Sequence, residues 1–163
     1  VPTSINLSRI DFEVLDLVSY LDETMSRLNC PKDMFCFEVT ESALAKDGQY
    51  IIDQITCMRQ HGYKVWIDDF GSGYSSLNML KEVPADILKM DMAFLSKDNQ
   101  GERGKKIVNT IISLAKALGM MVIVEGVETE EQVSYLKGTG ADYLQGFYFN
   151  RPLPVKKFEE TYL

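Results

Sequence analysis

Short apolar runs in this 163-residue chain repeatedly stop at a residue that can bind a cation or move a proton. In chain order these residues are Asn6, Glu38 with Glu41, Asp68 with Asp69, Lys89 with Asp91, Glu125 with Glu128, and Gln145. Singly, each is as well explained by helix capping or by satisfying a loop amide. Jointly they set many carboxylates beside one lysine, and crowded acids repel at low dielectric unless cations neutralise them. Oxygen donors of this type suit a hard divalent ion, Mg2+ or Mn2+, and the lack of a His/Cys motif points away from zinc. The chemistry such a set serves is cleavage of a phosphate ester, with cation-activated water as the nucleophile.

Two details sharpen that reading. Adjacent aspartates often occur as plain loop chemistry, but Asp68 and Asp69 end a strand, where one can bridge two ions while the other binds one or positions water. Lys89 lies inside a short apolar strand, a costly place for an ammonium unless acids or a phosphate pair with it. The turn Gly71-Ser72-Gly73 directly follows the aspartates and is expected to fold over a substrate, with Glu41 anchoring it by hydrogen bonds. His61, the sole histidine, stands at a helix end before Gly62 and is a poor candidate for a general base.

The elements that must position these groups alternate as β/α units around parallel strands. Strands are expected near Thr3–Leu7, Met34–Val39, Lys64–Ile67, Ile87–Met90, Met121–Val124 and Tyr143–Phe149. Phe12, Leu15, Val18, Leu21, Met25 and Leu28 recur at helical spacing and predict one helix closed by Pro31. Ile51, Ile52, Ile55 and Met58 predict a second helix, stopped at Gly62. Serines after Gly73 are expected to cap a short helix carrying Leu77 and Leu80. A polar loop around Asp98–Gly104 leads to a long helix with Ile107, Ile111, Leu114, Ala115 and Leu118 facing inward. Thr129 to Gln132 have the spacing of a capping box, and Pro154 suits the first turn of a closing helix. The fold class is α/β, a (β/α)8 TIM-barrel-like domain that is incomplete, with about six of the eight strands such a barrel needs.

Composition fits a single soluble domain: 45% hydrophobic and 25% charged residues. The net charge of -7 argues against a nucleic-acid polymer as partner, which calls for a basic surface. Cys30, Cys36 and Cys57 are odd in number and form no CxxC pair, so free thiols in a reducing cytoplasm are expected. No apolar run approaches the ~20 residues that span a bilayer.

The segments Glu38-Val39-Thr40-Glu41-Ser42, Asp68 through Leu77, Lys89-Met90-Asp91, Glu125-Gly126-Val127-Glu128-Thr129 and Gln145 through Phe149 closely resemble the EAL-domain family. The resemblance runs from about Ser4 to Pro154 and rests on five ordered motifs. It implies a cyclic-di-GMP phosphodiesterase that uses Mg2+ or Mn2+ at a two-metal site to give linear pGpG, often beside a GGDEF or sensor domain in bacterial signalling. By the same resemblance Asn6, Glu38, Asp68 and Asp69 are metal ligands, and Glu125 is a ligand or orients water. Lys89 contacts water and phosphate, Gln145 lies near the nucleophile, Glu41 holds the loop, and Asp91 and Glu128 occupy motif positions. The Glu-Ala-Leu signature that names the family belongs upstream of Asn6. Residues 1–163 are therefore expected to be the C-terminal two-thirds of one EAL-type domain, with a further glutamate ligand and a substrate-binding arginine upstream.

A reading from a different class is a noncatalytic module that binds cyclic-di-GMP or a protein partner; retention of the rim acids weighs against it. Exposed sheet edges would also favour a homodimer or other self-association.

Overall fold

Six strands form one parallel sheet in sequence order: β1 (Thr3–Leu7), β2 (Phe35–Thr40), β3 (Lys64–Phe70), β4 (Ile87–Asp91), β5 (Met121–Glu125) and β6 (Tyr143–Leu144). The computed structural model describes residues 2–44, 48–71, 77–91 and 102–163. The expected serine cap, Ser72 and Gly73 of the glycine turn, and Asp98 of the polar loop lie outside them. Helices connect the strands: α1 (Arg9–Val14), α2 (Leu17–Leu28), α3 (Glu41–Leu44), α4 (Gly48–Gln60), α5 (Leu77–Glu82), α6 (Glu102–Ala117) and α7 (Glu130–Leu136), and α8 (Val155–Tyr162) follows β6. Parallel neighbours in sequence order, each reached through a helical connection, are the arrangement of a β/α barrel wall.

Alternation along the strands divides the chain into a core and a rim. Phe37 and Val39, Val65 and Ile67, Leu88 and Met90, and Val122 and Val124 pack in the core with Ile51, Ile55, Met58, Ile112 and Ala115 of the helices. Successive strand side chains point to opposite faces, so Glu38, Lys89 and Glu125 fall on the other side of the sheet. That side would be the lumen of a closed barrel.

Local chemistry moved several expected boundaries. The first predicted helix is two, because Leu15 is extended (φ -119°, ψ 141°) and Asp16 starts α2 by accepting a hydrogen bond from the Ser19 amide. Leu15 and Leu28, expected on one buried face, are exposed. Asn29 ends α2 in the left-handed region (φ 51°), ahead of Pro31. Helix α6 begins at Glu102, inside the predicted loop, and buries Val108, Ile111, Ile112 and Ala115, a set at i, i+3, i+4 and i+7. Ile107 and Leu118 are exposed instead, because apolar residues on both flanks of the stripe left its centre ambiguous.

The last strand ends at Leu144 and does not run to Phe149. The chain turns because Gly146 lies against Val127, whose backbone oxygen would be 2.1 Å from any Cβ there. The Val127 amide donates to Gln145 O and the Tyr148 amide to Val127 O, which locks the two loops together. The Thr129/Gln132 capping box forms as expected, and Pro154 takes the N-cap of α8, one residue ahead of the first turn. Among the described residues no helix is long and apolar enough to cross a membrane.

Candidate active site

Lys89 is buried at the centre of the β4 rim, and its Nζ stands 2.9 Å from Asp68 Oδ1, 3.0 Å from Glu38 Oε2 and 3.1 Å from Glu125 Oε1. The three carboxylates come from β3, β2 and β5, so one ammonium joins four adjacent strands. Burial by itself would lower the Lys89 pKa, but hydrogen bonds to Asp68 and Glu38 and the charge of Glu125 outweigh it and drive the value up. Glu125 is pushed above the usual carboxylate range because burial outweighs the attraction of Lys89. The four groups carry three negative charges against one positive.

A bulge brings the second aspartate to the same rim. Ile67 and Phe70 are both core residues, and the β3–β4 register shifts between them, so Asp68 and Asp69 together occupy one place in the pleat. Asp69 adopts φ 55°, a left-handed conformation that costs a non-glycine residue energy, least for Asp and Asn. Its amide donates to Asp68 Oδ1 at 2.9 Å. Burial raises the Asp69 pKa, and the charges of Asp68 and Asp91 raise it further, which places Asp91 within electrostatic reach of the pair.

Glu41 meets the first glycine of the turn. Glu41 is buried at the start of α3, and its Oε2 accepts a hydrogen bond from the Gly71 amide at 3.2 Å. Gly71 has φ 99°, which suits the glycine at the head of that turn.

The remaining candidates share the rim but stand outside the Lys89 cluster. Asn6 is level with Glu38 across β1 and β2 and is exposed. Gln145 and Glu128 are exposed, on the loops joined through Val127. The backbone amide of Glu128 donates to Gln132 Oε1, part of the α7 cap. One residue on this face escaped the sequence reading. Trp66 is level with Glu38 on β3, and its indole Nε1 is buried with no partner among the described residues. Its place two residues before Asp68 in an alternating strand was the available signal.

The donor chemistry fits a hard divalent cation, since every candidate ligand offers oxygen. Among the described residues, however, no three acids are already drawn into a chelating group; they are arranged around the ammonium.

Comparison with known proteins agrees with the motifs. The family model described as "EAL domain" matches residues 1–152. The chain is 38% identical over 149 residues to the cyclic di-GMP phosphodiesterase NbdA of Pseudomonas aeruginosa, covering 90% of this chain and 19% of that protein. The solved MucR phosphodiesterase of the same organism, a c-di-GMP complex, superposes with a TM-score of 0.86 at 34% identity over 96% of this chain and 70% of that one. BlrP1 of Klebsiella pneumoniae, a manganese/cy-diGMP complex, gives a TM-score of 0.84 at 30% identity over 93% and 39% of the two chains. The chain spans about a fifth of the length of the curated relatives it matches first.

Proposed function

The chain belongs to the EAL-domain family, and on that premise we propose that its rim serves hydrolysis of one phosphodiester bond of cyclic-di-GMP, giving linear pGpG. The observation that carries the proposal is the convergence of Glu38, Asp68 and Glu125 from three strands on one buried lysine. An isolated ion pair needs one carboxylate, whereas a surplus of acid facing a rim suits cations and an anionic substrate.

Asn6, Glu38, Asp68 and Asp69, with Glu125 beside them, would hold Mg2+ or Mn2+. When bound, the ions supply Lewis-acid charge that makes water nucleophilic and offsets the charge of the phosphate. Water adds to phosphorus, the P–O bond to one ribose breaks, and the proton released by water ends on the departing ribose oxygen. Glu125, facing the same ammonium as Glu38 and Asp68, would orient that water. Lys89 donates to a phosphate oxygen, Gln145 flanks the attacking water, and Glu41 holds the Gly71 amide beside Asp69. Asp91 and Glu128 act from the rim on the charge and shape of the cleft.

Residues 1–163 act here as part of one domain, with two further strands upstream completing the barrel. This chain covers 70% of the solved MucR chain, which is the longer of the two. Cyclic-di-GMP turnover with Mn2+ or Mg2+ tests the proposal, comparing this chain with a version extended upstream and with Glu38→Ala in the extended version. Hydrolysis is expected in the extended protein and abolished by Glu38→Ala. Binding without hydrolysis by the extended protein would replace the enzyme with a receptor.

A further inference from the structure

A lysine ammonium has three N–H donors and accepts nothing. In Lys89 each donor has a different carboxylate within 3.1 Å: Asp68, Glu38 and Glu125. Its side chain is only 7% exposed, so solvent contributes little to its bonding. The ammonium therefore has no donor left for a substrate phosphate and must release at least one carboxylate to reach one. The carboxylates exceed it in charge, three to one, and a doubly charged ion would neutralise them better than the ammonium does.

Resting on the metal-dependent reading above, we infer that Lys89 is the resident cation of the metal-free site and yields its carboxylates to a divalent ion, which frees it to bind the phosphodiester. The lysine then serves as an exchangeable counter-ion as well as a phosphate contact. Metal and phosphodiester become coupled ligands, each tightening the other by the same factor. A purely structural lysine would keep its three partners whether or not metal were bound.

Calorimetric titration of Mn2+ into the 163-residue chain and into Lys89→Met, with thermal unfolding of both, tests the exchange. Lys89→Met is expected to unfold more easily without metal and to bind Mn2+ more tightly, by about tenfold, within the usual range for coupled ligands. Its melting temperature should also rise further on metal addition. Equal or weaker Mn2+ affinity in Lys89→Met overturns the inference and leaves the metal site standing. No Mn2+ binding by either protein also overturns the inference, while metal-dependent turnover by the extended protein decides the metal reading separately.

Should Lys89→Met fail to fold without metal, nitrogen resonances of the lysine ammonium groups in the unaltered chain decide the matter. The Lys89 signal, assigned by its loss in Lys89→Arg, must shift as Mg2+ saturates the site. Fluorescence of Trp66, the sole tryptophan and the register partner of Glu38, offers a separate readout of saturation. A Lys89 signal that stays fixed while calorimetry shows Mg2+ bound counts against exchange.

Discussion

The two ends of the sheet treat charge in opposite ways. At the N-terminal end two partly exposed aspartates each have their own cation and a backbone donor. Arg59, in the last turn of α4, grips Asp86 with Nη2–Oδ1 at 2.8 Å, while Asp86 Oδ2 accepts from the Val65 amide at 2.9 Å. Lys116, in the last turn of α6, repeats this with Asp142 at 2.5 Å, and Asp142 Oδ2 accepts from the Val122 amide at 2.7 Å. At the C-terminal end one ammonium serves three carboxylates, with Asp69 and Asp91 close by. The matched end ties helix to strand; the unmatched end leaves carboxylates in excess of their ammonium. In barrels of this kind the C-terminal face carries chemistry and the opposite face stability.

The contrast breaks most sharply at Lys89. Removal of its charge by Lys89→Ala takes the ammonium from two buried acids, Glu38 and Asp68, and from the partly buried Glu125, and breaking a buried pair from one side costs about 3–5 kcal/mol. Urea unfolding in the absence of metal should show that loss, and added Mn2+ should recover part of it.

Asp86→Ala should cost less, about 1–3 kcal/mol, the price of leaving the Val65 amide and Arg59 unsatisfied. Unfolding measures the loss. Metal affinity of the folded fraction should remain unchanged, and a change in that affinity would erase the division between the two ends.

Asp69→Gly works in the opposite direction. Glycine takes the φ of 55° without strain, so stability should rise by up to about 1 kcal/mol while Mn2+ affinity falls. A loss of both would mean that the bulge does not store strain for the site.

The smallest effect is expected at Asp22, where Lys32 first, then Tyr63 and His61, hold the carboxyl well below its ordinary 3.8. A depressed folded pKa gives stability that is complete above the unfolded value and is lost as pH falls through the lower folded value. The melting-temperature gap between the chain and Asp22→Asn should therefore be open at pH 7 and close in acid below about pH 4. A gap independent of pH would assign Asp22 a packing role.

Much of the rim was legible because strand alternation is local. A polar residue within or ending an apolar strand run, Glu38 and Lys89 within and Asp68 and Glu125 ending, must face away from the helices that bury its neighbours. The matched end was legible too, but unread: Ala85-Asp86-Ile87-Leu88 and Ala141-Asp142-Tyr143-Leu144 repeat one pattern, an aspartate directly before a strand. The break at Leu15-Asp16 was hidden because the apolar spacing continued through it, while the Asp16 side chain captured the next helix start.

The sequence by itself determined the order of the β/α units, the residues at the strand ends, the capping box of α7 and the family. All of these follow from chemistry within a few residues or from motif spacing. Only the tertiary structure decided that Lys89 faces three carboxylates at once, that a bulge turns Asp69 to the rim, and that Gly146 pressed on Val127 stops the last strand. Each depends on groups from separate strands or loops meeting across distances that no local pattern encodes, and the packing of the whole sheet sets those distances.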